Sequence, residues 1–202
     1  MDASVRDMER DVSWATRTKI TEVFQLGMGK RPYQHQLEGV ISFLNAIKDG
    51  RQRRFLHFYA PRTGKTCIQA ALSYILLRRE LCFRMVIVVN DRGCLDSQSF
   101  DAVCRFIKNL QEAPEVAQAD SSSDIGDWLQ RCRRDVHKRV VLFTTLQKFN
   151  ANDETSCEVS ASAALAAATL VMPDEAHRSH KVWGKSASQR EGGPERSMSP
   201  YA

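Results

Sequence analysis

The chain has 202 residues, 43% of them hydrophobic and 26% charged, which gives room for one α/β domain and hardly for two. A formal net charge of +5 and a pI near 9.0 permit an anionic partner without establishing one. The polar start MDASVRDMERDVSW has no apolar core of a secretory signal, and the stretch VSASAALAAATLVM is too short and serine-broken to span a bilayer. The six cysteines are scattered with no C-x-x-C pair, so the reading is an intracellular chain without a zinc site.

In chain order, residues 1–30 read as a charged lead with one short helix around Thr21 to Leu26. RPYQHQLEGVISFLNAI places Leu37, Val40, Ile41, Leu44 and Ile47 at helical spacing. A basic turn, KDGRQRR, leads to the strand RFLHFYA, and KTCIQAALSYILLRRE is the helix after the next loop. RMVIVVN is an almost unbroken apolar run of the kind buried on both faces of a parallel sheet, followed by a helix from about Leu95 to Leu110. QEAPEVAQADSSSDIGD carries five acidic residues and no lysine or arginine, so it reads as a solvated loop entering a helix near Trp128. Arg131, Arg133, Arg134, Lys138 and Arg139 form a basic cluster ahead of the strand RVVLFTT. A polar loop and a short alanine-rich helix then precede a last strand, TLVMPDEAH. Residues 184–202 read as a disordered tail, which leaves 31–183 as the domain. Alternating strands and helices imply a mainly parallel sheet with ligands at the strands' carboxyl ends.

Two features carry chemistry. In APRTGKT a loop joins a strand to a helix, and a helix start offers unpaired N–H groups and the positive end of the dipole to phosphate. Gly64 allows close backbone approach, Lys65 reaches the β- and γ-phosphates and the Thr66 hydroxyl ligates Mg²⁺. The plain alternative is an ordinary strand-to-helix turn with a surface lysine. Arg62 stands where glycine commonly provides positive φ. The second feature is Asp174-Glu175 at the end of an apolar strand. A phosphate-loop enzyme needs one carboxylate for Mg²⁺, here Asp174, and a second to orient the attacking water.

With these blocks in order, the chain resembles the superfamily 2 helicases and translocases, in particular the restriction subunits of type I and type III restriction enzymes. RPYQHQLEGV looks like that branch's opening motif, APRTGKT like its motif I, VIVVNDRGCLDSQ like the strand and loop after it, VLFTTLQKF like its T-T-L-Q-K-F block and DEAHRS like motif II. The resemblance implies a RecA-like, three-layer phosphate-loop domain binding ATP and Mg²⁺. Gln34 would read adenine, and Arg62, Thr63, Gly64, Lys65 and Thr66 would hold the phosphates. Lys65, Asp174, Glu175 and His177 would be catalytic, with Thr66 and Asp174 on the metal. Arg92, Thr144 and Thr145 would contact DNA or RNA. Complete motors of this kind hydrolyse ATP between two lobes. The sequence stops soon after DEAHRS, so a second lobe is expected from another part of the system, and a non-catalytic remnant that binds nucleotide or nucleic acid is the competing reading. A metabolic phosphate-loop kinase would need neither R-P-Y-Q nor DEAH. Pro173 is an oddity in a central strand, because it donates no hydrogen bond.

Overall fold

The structure is a computed structural model that describes residues 17–48, 59–60, 62–78, 83–90, 93–148 and 168–174, with the backbone alone for 93–97. The elements are α1 (Arg17–Met28), α2 (Gln34–Lys48), α3 (Lys65–Leu76), β1 (Met85–Asn90), α4 (Gly93–Ile107), β2 (Glu115–Gln118), α5 (Ser122–Arg134), β3 (Val140–Thr145), a single 3₁₀ turn (Leu146–Lys148) and β4 (Thr169–Pro173). The four strands are parallel in the order β2-β3-β1-β4.

Every residue of β1 and β3 is buried. Runs such as MVIVVN have no polar face because both faces of the sheet are covered. Alternation along the strand divides the core in two. Val86, Val88, Val141 and Phe143 pack with α1, α2, α3 and α4, while Met85, Ile87, Val89, Val140 and Leu142 pack with α5. On α5 the contact is made by Ile125, Leu129 and Cys132, spaced as one helical stripe. The result is the three-layer α/β arrangement expected from the sequence. Each fully buried side chain of the size of Phe143 or Leu142 contributes about 1.5–3 kcal/mol through burial. No helix among the described residues is long and apolar enough to cross a membrane.

Three details differ from the sequence reading. The helix expected at Thr21 to Leu26 runs over Arg17–Met28 and is part of the core: Ile20, Val23 and Phe24 are buried, and Phe24 meets Phe106 edge-on at 5.9 Å. α1 therefore packs into the same core as the elements after residue 31. The segment expected to be a solvated loop contains β2, because its backbone pairs with β3 from Glu115↔Val140 to Gln118↔Phe143. Pro173 ends β4 without disturbing it. The Asp174 N–H donates to the Val89 carbonyl at 2.8 Å, so by alternation the proline nitrogen faces away from β1 and no bond to that strand is lost. The strand expected at RFLHFYA lies outside the described residues up to 58, as do the alanine-rich helix and the tail.

Candidate nucleotide site

Parallel register brings the ends of three strands to one rim. Asn90 pairs with Thr145, Val89 pairs with Pro173, and Asp174 follows at the same level. α3 ends at Leu76 and β1 starts at Met85, so in a right-handed parallel crossover the start of α3 faces that same carboxyl rim.

The loop before α3 has two residues in the left-handed region, Arg62 (φ 65°) and Gly64 (φ 83°, ψ 34°). At Gly64 a side chain would be strained, and its Cβ would also run into the Gln36 amide. Arg62 pays that conformational penalty, of order 1–3 kcal/mol. Its side chain is exposed. The loop is pinned to α2. Gln36, only 3% exposed, donates from Nε2 to the Thr63 carbonyl at 3.1 Å and accepts from the Tyr33 N–H at 3.0 Å. His35 Nε2 donates to the same carbonyl at 2.9 Å, and the Thr63 hydroxyl donates to the Ala60 carbonyl at 2.8 Å. In a trans peptide the carbonyl and the following N–H point in opposite directions, so anchoring Thr63 to α2 turns the Gly64 N–H away from it.

Gly64 is the N-cap of α3 and supplies no side-chain cap, and the first turn holds no acidic residue. Cys67 and Ile68 donate to the Gly64 carbonyl at 3.0 and 3.2 Å. Ahead of them Thr66 is half-buried, with neither its amide nor its hydroxyl bonded among the described residues. An exposed positive helix end with a close-approach glycine and a hydroxyl beside it fits a polyphosphate with its metal. Lys65 opens the same helix and is half-buried. Burial pushes the Cys67 thiol up, against a weaker pull from Lys30.

Other expected site residues lie differently. Gln34 is exposed, and its amide donates to Glu38 Oε1 at 2.8 Å, along its own helix. The glutamine that touches the loop is Gln36. Its position was legible: it falls in the buried stripe with Val40, Phe43 and Ile47, where a polar residue needs a partner. Thr144 is 0% and Thr145 5% exposed. Thr144 shares the face of Val140 and Leu142, so it is enclosed in the sheet and offers no surface to a nucleic-acid strand. Asp174 is half-buried at the rim. Glu175, His177 and Arg92 lie outside the described residues.

The family model described as SWI2/SNF2 ATPase matches residues 35–190. That match includes Gln36, the phosphate loop and DEAH, and begins one residue after Gln34. No curated protein matches the chain.

Proposed function

We propose, on the premise that the chain belongs to the SWI2/SNF2 ATPase family, that it is the ATP-binding lobe of a motor that couples hydrolysis to movement on nucleic acid. Membership makes it a superfamily 2 helicase-like ATPase lobe; the coupling, the partner and the residue roles are our reading. The observation that carries it is the uncapped start of α3 behind a left-handed Gly64, pinned through Thr63 to a buried glutamine.

In this reading the loop amides from Gly64 onward and the Lys65 ammonium hold the β- and γ-phosphates, and Thr66 with Asp174 holds Mg²⁺. Bound ATP would supply the phosphoryl group, and the Mg²⁺ held by Thr66 and Asp174 would neutralise charge that develops on it. Glu175 orients the attacking water, with His177 beside it in sequence. Arg62 adds positive charge at the loop's open side. Gln36, rather than Gln34, holds the loop in register with α2, because Gln36 alone of the two touches it. Arg92 is the proposed contact with DNA or RNA at the rim, since Thr144 and Thr145 are both enclosed in the sheet. A second RecA-like lobe completes the cleft, in this chain's own protein or in a restriction or remodelling complex. The narrower likeness to restriction subunits rests on RPYQ and TTLQKF.

The test is calorimetry of Mg-ATP binding to the chain and to Lys65→Ala. Removing the ammonium should weaken binding at least about tenfold, the scale of one charge-assisted contact (~1.5–3 kcal/mol). Equal affinity in the two proteins would overturn the site. A second reading, binding without turnover, is favoured by Arg62, whose Cβ occupies a left-handed position in the loop. Nucleic-acid-stimulated phosphate release by the full protein, compared with Lys65→Ala, separates the two.

A further inference from the structure

The C-terminal end of α5 lies at the other rim of the sheet. Arg84, just before β1, donates from Nη2 to the Asp135 carbonyl at 2.7 Å, and the Val140 N–H donates to the Arg84 carbonyl at 3.1 Å. The last turn of α5 therefore meets the amino ends of β1 and β3, about 17–20 Å along the strands from the carboxyl rim.

That turn carries Arg131, Arg133 and Arg134, all exposed, and none forms an ion pair among the described residues. Arg133 and Arg134, with Gln130, line an open depression of ≈ 430 Å³. Arg131 lies 4.9 Å from the centre of the Trp128 ring and Lys138 5.5 Å from it. Both cations are thus held over one half-buried indole, which lowers the entropy cost of presenting them to a ligand. Of the nearby acids, Glu115 is paired with Lys138 and offsets that lysine's charge, which leaves the three arginines as the unpaired cations, and Asp135 Oδ1 accepts from the His137 N–H at 2.8 Å. Asp127 is exposed one turn before Arg131.

Cations at a helix C-terminus complement the dipole, but that effect fades within the last turn and accounts for one charge more readily than for three. A protein partner would want an apolar anchor inside the charged ring. Among the described residues of α5 and the link to β3, Val136 is the one exposed large hydrophobic side chain. One valine is a small anchor beside three exposed arginines, so the chemistry that predominates is repeated anionic charge.

We propose that Arg131, held over Trp128, together with Arg133 and Arg134 forms a second nucleic-acid surface that grips the phosphodiester backbone at the rim opposite the nucleotide site. This goes beyond the proposed ATP site and does not depend on it. A motor holding nucleic acid at two separated places can anchor one stretch while acting on another.

The test is fluorescence anisotropy of the full chain without nucleotide, using labelled duplex DNA of about 20 base pairs and single-stranded DNA and RNA of the same sequence. Arg133→Gln with Arg134→Gln should weaken binding roughly tenfold near physiological salt and flatten the slope of log affinity against log salt by about 2. Arg133→Lys with Arg134→Lys should restore most of both, and the circular-dichroism melting temperature should be unchanged in each. The three probes then rank duplex, single strand and RNA. Mg-ATP affinity of the Gln pair, measured alongside by calorimetry, should equal the parent's, so failure of the ATP site is read separately. Unchanged affinity and slope in the Gln pair would sink the proposal. So would a loss that the Lys pair fails to restore, or a loss of binding to labelled polyglutamate with DNA binding intact, which would assign the face to an acidic protein.

Discussion

The N-termini of α3 and α5 present the same backbone problem and answer it in opposite ways. At α5, Ser121 is the N-cap: its hydroxyl accepts from the Asp124 N–H at 3.2 Å, and the Asp124 carboxylate accepts from the Ser121 N–H at 2.9 Å and the Asp120 N–H at 2.8 Å. This is a closed capping box, with the first-turn donors satisfied by the chain itself. At α3 the cap is a left-handed glycine with no side chain, no acid follows in the first turn, and effort goes instead into fixing the preceding carbonyl through Gln36 and His35. A helix start that needs only stability gets a serine and an aspartate. One left open, yet held rigid from behind, suits the anion of the proposed nucleotide site.

The largest expected effect comes from closing the open end. Gly64→Ala places a Cβ in a left-handed residue and against the Gln36 amide, so it should abolish measurable Mg-ATP binding by calorimetry. It should also lower stability by about 1–3 kcal/mol in denaturant titration. Binding that survives this change would mean that the two helix starts differ for a structural reason only.

Arg62 sharpens the contrast, because strain and charge sit on one residue. Its φ of 65° makes Arg62→Gly stabilising by about 1 kcal/mol, read as a rise in melting temperature. In the proposed site the same change removes a cation beside the phosphates, so ATP affinity should fall several-fold, and less at high salt. Arg62→Ala removes the charge and keeps the strain. It should weaken ATP binding equally with no gain in stability, and equal melting of the Gly and Ala variants would refute the strain.

The smallest effect belongs to the closed end. Ser121→Ala removes the cap and should cost about 1 kcal/mol in denaturant titration while leaving ATP binding untouched. Hydrogen bonds from the Asp120 N–H and from Ser121 hold the Asp124 carboxyl below the usual aspartate range. A depressed folded value means that this stabilisation is present above the unfolded value. It is lost as pH falls through the folded one, below about pH 4. Asp124→Asn should therefore soften the acid limb of the stability curve and leave neutral-pH ATP binding as it was.

Much of the fold was legible because its central strands have no polar face: MVIVVN and VVLFTT can only be buried on both sides. The edge strand β2 was not. EVAQ has two apolar residues in four, and it is a strand because β3 offers a row of backbone partners. At the site, Gly64-Lys65-Thr66 could be read directly, since the chemistry of that spacing is local. The choice between Gln34 and Gln36 could not be read from a motif. It depends on which side of α2 faces the loop, and helical spacing answers that: Gln36 lies on the buried stripe and Gln34 does not. The burial of Thr144 and Thr145 follows from the same kind of argument, because a strand covered on both faces encloses its polar residues with the rest.

The strand order has a consequence for synthesis. β1 sits between β3 and β4, and both neighbours come later in the chain: Met85 finds Val140 on one side and Thr169 on the other. At about 5–20 residues per second, the most apolar strand of the sheet spends roughly 3–11 seconds after translation without either partner. During that interval its N–H and C=O groups and its valine-rich surface are open to wrong pairing. A ribosome-bound nascent chain halted just before Val140 is the species in which chaperone engagement should be greatest.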